Sequence, residues 1–149
     1  MTDLPQESDF AFKLPTRVRW AEVDAQGVVF SAHYVMYFDL AMTEYMRAVG
    51  YPYPDALKRE GCDTFIVNAN VNYRSSAFYD DEIRICARVA RIGRTSLTFA
   101  FAIYRATELL ADGGLIYVNS SLKDKSSTPW PTPFIEKIEA FEKTPPFRA

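Results

Sequence analysis

The sequence predicts an α+β fold, a five-stranded antiparallel sheet wrapped around one long central helix. Three observations predict it. Residues 32–49 contain no Pro or Gly and repeat apolar residues at three- and four-residue steps, the period of a helix. From Cys62 onward the pattern changes to apolar–polar alternation, the period of strands. A single strand-like run, residues 17–23, precedes the helix. A helix with one broad apolar face and a run of consecutive strands bury each other when the sheet curves round the helix.

Taken in order, residues 1–13 are polar with scattered Phe and read as a loosely held lead-in. Residues 17–23 read as the first strand, and Asp24-Ala25-Gln26-Gly27 breaks it with turn chemistry. Ser31 reads as the N-cap of the long helix, because its hydroxyl can accept a free N–H one turn in. Tyr34, Tyr37, Phe38, Ala41, Tyr45, Ala48 and Val49 form the helix's apolar face, and Gly50 and Pro52 end it. At 1.5 Å per residue such a helix is roughly 27 Å long, enough to cross a small domain. Residues 55–60 read as a short helix opened by Pro54.

Strands follow over residues 67–73, 83–89, 97–103 and 116–122. Gly93-Arg94 is a hairpin signal, and Asp112-Gly113-Gly114 reads as a stronger one. Thr132-Pro133 opens a helix over residues 134–142, and Thr144-Pro145-Pro146 stops it.

The chain has 149 residues and reads as one domain over 1–149, with a core at 15–125 and a C-terminal extension carrying the short helix. It is 48% apolar, with eleven Phe and nine Tyr, enough for a packed core and for apolar walls around a ligand. A net charge of −2 argues against a nucleic-acid partner. Cys62 and Cys86 lie far apart without a C-x-x-C or His cluster, so no metal site is expected and a disulfide is unforced. The start, MTDLPQESDF, is polar and acidic, unlike a signal peptide, and no apolar run approaches the roughly 20 residues that span a bilayer. A cytoplasmic protein without a membrane partner is the expectation.

Asp24 stands a few residues before the N-terminus of the long helix, where free N–H groups and the helix dipole favour anions and polarised carbonyls. An acid beside such a donor suits attack on an ester or thioester. The plainer reading is that Asp24 only favours the turn. His33 is the one histidine; without a G-x-S-x-G elbow it reads as a first-turn residue that packs locally. The turn Arg91-Ile92-Gly93-Arg94-Thr95-Ser96 offers two cations and two hydroxyls, either a grip for phosphates or a solvated tip. Asn68, Asn70 and Asn72 line one side of a strand, either a polar pocket or subunit interface, or an ordinary solvent face. For Tyr73, Arg74, Asp80 and Asp81 the sequence argues no chemistry.

The run V-R-W-A-E-V-D-A-Q-G-V-V-F-S-A-H-Y-V-M-Y-F-D resembles the signature of the 4-hydroxybenzoyl-CoA thioesterase family of hot-dog fold acyl-CoA thioesterases. That signature is a strand ending in D-x-D-x-x-G, then two apolar residues, an aromatic and a helix opening near a Tyr. Asp24, Gly27, Val28, Val29, Phe30 and Tyr34 fall on it. The resemblance implies a hot-dog fold, thioester hydrolysis without a cofactor, and Asp24 as catalytic carboxylate, acting as nucleophile or as base on water. It implies that a backbone N–H near Ser31 polarises the carbonyl. It places the phosphates of CoA around Arg91, Arg94, Thr95 and Ser96. It also implies a homo-oligomer, a dimer with composite sites or a tetramer of two dimers. Two positions depart from the pattern: Glu22 replaces the first Asp, and Ser31 stands where many relatives carry His or Tyr. A backbone donor survives the second change. Alternatives are an acyl-carrier-protein thioesterase, a hot-dog module that binds acyl-CoA or a protein without turnover, and a dehydratase or hydratase dependent on His33.

Overall fold

The computed structural model describes residues 3–149. Its elements run β1 (Phe12–Arg17), α1 (His33–Ala48), α2 (Asp55–Arg59), β2 (Cys62–Tyr73), β3 (Glu82–Ile92), β4 (Ser96–Arg105), β5 (Glu108–Ser121), α3 (Thr132–Phe141) and β6 (Phe147–Arg148). The sheet order is β1-β3-β4-β5-β2, antiparallel throughout, and β6 adds a short parallel pairing to β3. The expected α+β architecture, one long helix against a five-strand antiparallel path, is present.

The inner face of the sheet and the apolar face of α1 make the main core. Phe38 is fully buried and stacks on Phe101 with ring centroids 4.7 Å apart. Tyr45 meets Phe12, Phe99 and Phe141 edge-on. Each such ring contributes about 2–3 kcal/mol through the apolar area it removes from water. The Tyr45 hydroxyl donates to Glu142 Oε1 at 2.6 Å, and the Val89 N–H donates to the same oxygen at 2.9 Å. Glu142 thereby fastens the end of α3 to β3 at the bulge between Val89 and Arg91. Burial pushes its carboxyl up, against the two hydrogen bonds it accepts.

Several expectations are corrected. Residues 17–23 are not a strand: β1 ends at Arg17 and a single 3-10 turn occupies Trp20–Glu22. The strand instead begins at Phe12, at the end of the segment read as a lead-in, and runs through Pro15 to Arg17; it alternates in burial, but Thr16 at an inward position and Pro15 mid-strand weaken its apolar signal. The lead-in itself is held down. Phe10 is 1% exposed in a small cluster on the outer sheet face with Cys86, Ala102 and Tyr104. Glu7 pairs with Arg84 at 2.6 Å, and the Tyr104 hydroxyl donates to the Pro5 carbonyl.

Ser31 is not the N-cap of α1; Ala32 holds that position and no side chain caps the helix. Asp112-Gly113-Gly114 is not a hairpin but the middle of β5, and the β4–β5 turn falls at Ala106-Thr107 with Ala106 at φ 50. The glycines answer close approach. A Cβ at Gly113 would lie 2.1 Å from the Asn70 carbonyl oxygen and 3.1 Å from the Phe38 ring. β2 alternates in sequence but not in burial, because it is an edge strand: Phe65, Ile66, Val67 and Tyr73 are all exposed. The C-terminal helix begins at Thr132, close to its expected bounds, with Pro131 rather than Thr132 at the N-cap. The short β6 was not foreseen.

Candidate active site

The local sequence builds the site by folding the chain back on itself between the 3-10 turn and α1. The Phe30 N–H donates to the Glu22 carbonyl at 2.9 Å, and the Asp24 N–H to the Val28 carbonyl at 2.9 Å. Gly27 takes φ 79, a conformation that strains any residue with a Cβ, and so closes the turn 24–28. Val28 bridges to Phe78, and the Val29 N–H donates to the Ala77 carbonyl. The turn is thus held against the loop between β2 and β3.

Glu22 anchors the base of this turn. Its side chain is 4% exposed, and it accepts from the Arg19 backbone N–H at 2.8 Å, Arg19 Nη2 at 2.7 Å and the Tyr37 hydroxyl at 3.0 Å. Burial raises its carboxyl, but these donors outweigh burial and hold it below its ordinary value. The same acid raises the Tyr37 hydroxyl, whose main cause is burial. Through Tyr37 the turn before Asp24 is tied to α1.

Asp24 and Ser31 come together as expected. Both line a cavity of about 420 Å³ with Gln26, Val28, Val29, Phe30, Tyr34, Tyr73, Arg74, Ser75 and Ser76. The plainer reading of Asp24 holds for one oxygen: Oδ1 accepts the Gln26 N–H at 2.8 Å in an Asx-type turn. Oδ2 has no hydrogen-bond partner among the described residues. The first turn of α1 spends its N–H groups unevenly. His33 donates to the Phe30 carbonyl at 2.9 Å and Tyr34 to the Ser31 carbonyl at 3.4 Å. The N–H groups of Ser31 and Ala32 have no partner among the described residues. A half-buried carboxylate and Ser31, whose N–H is unspent at the helix N-terminus, therefore share one pocket.

His33 packs its ring against Phe30 at 5.9 Å and meets no acid, as its local reading anticipates. Arg91, Arg94, Thr95 and Ser96 lie elsewhere in the chain. They sit at the far end of β3, whose near end adjoins the loop 75–81 that walls the cavity. At about 3.3 Å per residue the two ends of that strand are roughly 30 Å apart. Neither Arg91 nor Arg94 forms an ion pair among the described residues. Asn70 and Asn72 line a second cavity, of about 1040 Å³, with Arg74, Arg88 and Asp112, as the polar-pocket reading has it; Asn68 is not among its lining residues. Within it Asn72 donates to Asp112 at 2.7 Å, Asn70 to the Gly114 carbonyl at 3.5 Å, and Arg74 joins Asp112 at 3.2 Å.

Tyr73 is the pocket residue that sequence reading passed over. Its hydroxyl donates to the Ser31 carbonyl at 2.9 Å, and its ring meets Tyr34 edge-on at 5.2 Å. A contact across 42 positions leaves no local signal; only the strand's position brings it there. The described residues contain no cluster of acid, His or Cys groups suited to a metal ion. Nor does any helix among them have the length and apolarity to cross a membrane.

The family model for the thioesterase superfamily matches residues 26–111. An acyl-CoA thioester hydrolase of Escherichia coli, YbgC, is 31% identical over 107 residues, covering 72% of this chain and 79% of that protein. An acyl-CoA thioesterase of Haemophilus influenzae is 27% identical over 103 residues, covering 69% and 76%. The crystal structure of a hypothetical protein from Aquifex aeolicus superposes with a TM-score of 0.80 at 25% identity, over 85% of this chain and 98% of that one. The fold is the hot dog, and the chain belongs to the thioesterase superfamily.

Proposed function

We propose that the protein hydrolyses acyl-CoA thioesters with Asp24 as the reacting carboxylate. One observation carries the reading: Asp24 and Ser31 line the same cavity at the start of α1, and the Ser31 N–H is unspent among the described residues. The thioester carbonyl oxygen takes the Ser31 N–H, which faces the charge that grows on it in the transition state. A carboxylate oxygen of Asp24 then attacks the carbonyl carbon, the C–S bond breaks and the thiolate leaves. Water cleaves the resulting mixed anhydride and restores Asp24. In the other route Asp24 takes a proton from a water that attacks directly. A single turnover in H2¹⁸O tests the anhydride route, because ¹⁸O enters Asp24 only when water cleaves an anhydride at the Asp24 carbonyl.

CoA's phosphates fit the Arg91, Arg94, Thr95 and Ser96 turn by charge. That turn is too far from Asp24 of its own chain, so the ligand spans two copies. The edge strand β2 supplies the surface for a second copy: its hydrogen-bonding edge is unpaired and exposes Phe65, Ile66 and Val67, with Met36 and Leu40 of α1 also exposed. A homodimer, or two dimers together, follows, and sedimentation equilibrium tests it. The deciding experiment for the function is free-thiol release from a panel of acyl-CoAs by wild type and Asp24→Asn. Turnover that collapses in the variant supports the reading. Turnover that persists sinks the role of Asp24, and no turnover on any CoA ester sinks the substrate class.

A further inference from the structure

We infer that Tyr73 is a positioning residue for Ser31 and its carbonyl-polarising N–H, a role that rests on the function proposed above. Its hydroxyl donates to the Ser31 carbonyl at 2.9 Å. That carbonyl belongs to the rigid peptide plane joining Ser31 to Ala32, so fixing it fixes one side of Ser31. The Ser31 N–H lies in the preceding plane, whose Phe30 carbonyl is fixed by the His33 N–H at 2.9 Å. Ser31 is therefore clamped on both sides, once by its own helix turn and once by Tyr73.

The clamp does work that the helix does not. The helical bond to the Ser31 carbonyl, from the Tyr34 N–H, is stretched to 3.4 Å, beyond the usual range for N–H···O contacts. No side chain caps α1. The first turn would be free to fray without an outside donor. Tyr73 is that donor. The hydroxyl comes from the end of the edge strand β2, and the ring is set by its edge-on contact with Tyr34, itself buried in the core. The placement of the helix start is thus referred to the sheet.

Tyr73→Phe tests this, because it removes the hydroxyl and keeps the ring. Loss of one hydrogen bond behind the donor should lower kcat about tenfold, less than the loss of an oxyanion donor itself. KM and the melting temperature should stay near wild type, since the ring keeps its place in the pocket wall and the core is unchanged. A dethia ketone analogue of the acyl-CoA should bind equally well to both proteins if it hydrates poorly. Its trifluoromethyl ketone counterpart, which binds as the hydrated oxyanion, should bind about tenfold more weakly to Tyr73→Phe. A kcat within twofold of wild type overturns the inference, as does a loss of kcat that follows a loss of stability or a rise in KM. The wild-type and Asp24→Asn rates measured alongside keep the two readings separate: activity that needs Asp24 but ignores the Tyr73 hydroxyl refutes only the positioning role.

Discussion

Replacing Glu22 with Gln removes a buried charge from beneath the Asp24 turn while keeping its shape. The carboxylate is 4% exposed, whereas its partner Arg19 is 70% exposed. Charge-assisted hydrogen bonds are worth about 1.5–3 kcal/mol each when shielded, but the exposed guanidinium recovers water on losing its partner, which discounts the pair. The amide oxygen still accepts from Tyr37 and from the Arg19 N–H, while the amide nitrogen now faces donors. A net loss of about 2 kcal/mol follows, or about 5 °C in melting temperature for a chain this size. Glu22→Ala should cost about 3–4 kcal/mol, because it also strands the Tyr37 hydroxyl in the core. The pH dependence has a definite sign. The folded Glu22 carboxyl lies below its ordinary value of 4.5. Its stabilisation is therefore complete above about pH 4.5 and disappears as pH falls through the folded value. Urea titrations of wild type and Glu22→Gln from pH 3 to 8 are the assay. A constant difference that persists below the folded value, or a shift under 1 °C at pH 7, would refute the reasoning.

Two further substitutions probe the frame. Gly113→Ala should destabilise by about 3 kcal/mol through overpacking, because the added methyl meets the Asn70 carbonyl at 2.1 Å and backbone must move; an unchanged urea midpoint would show the strands are looser than drawn. Glu142→Gln should stabilise the protein at pH 7 by about 1 kcal/mol. The raised folded carboxyl penalises the fold as pH climbs above the ordinary value of 4.5, and the amide keeps the oxygen that Tyr45 and Val89 need. The gain should vanish in acid, and a gain that stays the same at every pH would contradict the assignment.

The sequence by itself determined the elements whose period is written in adjacent residues. The apolar face of α1 was legible because Tyr34, Tyr37, Phe38, Ala41 and Tyr45 recur at helical steps, and each is buried. β3 and β4 were legible because one side of each strand is wholly apolar against that helix. Asp24 and Ser31 were legible as neighbours because seven residues of turn cannot carry them far apart. What needed tertiary structure is what depends on who lies across. Asp112-Gly113-Gly114 has the composition of a turn, but the pressure on it comes from Asn70 and Phe38, over 40 and 70 positions away. β1 was missed because a strand near the sheet's margin keeps polar residues that blur its alternation. The exposed row on β2 follows from its place at the edge, which no residue of β2 encodes. The Tyr73 hydroxyl reached Ser31 by strand order alone. Local period fixes an element; only packing fixes which atoms face one another, and chemistry is decided there.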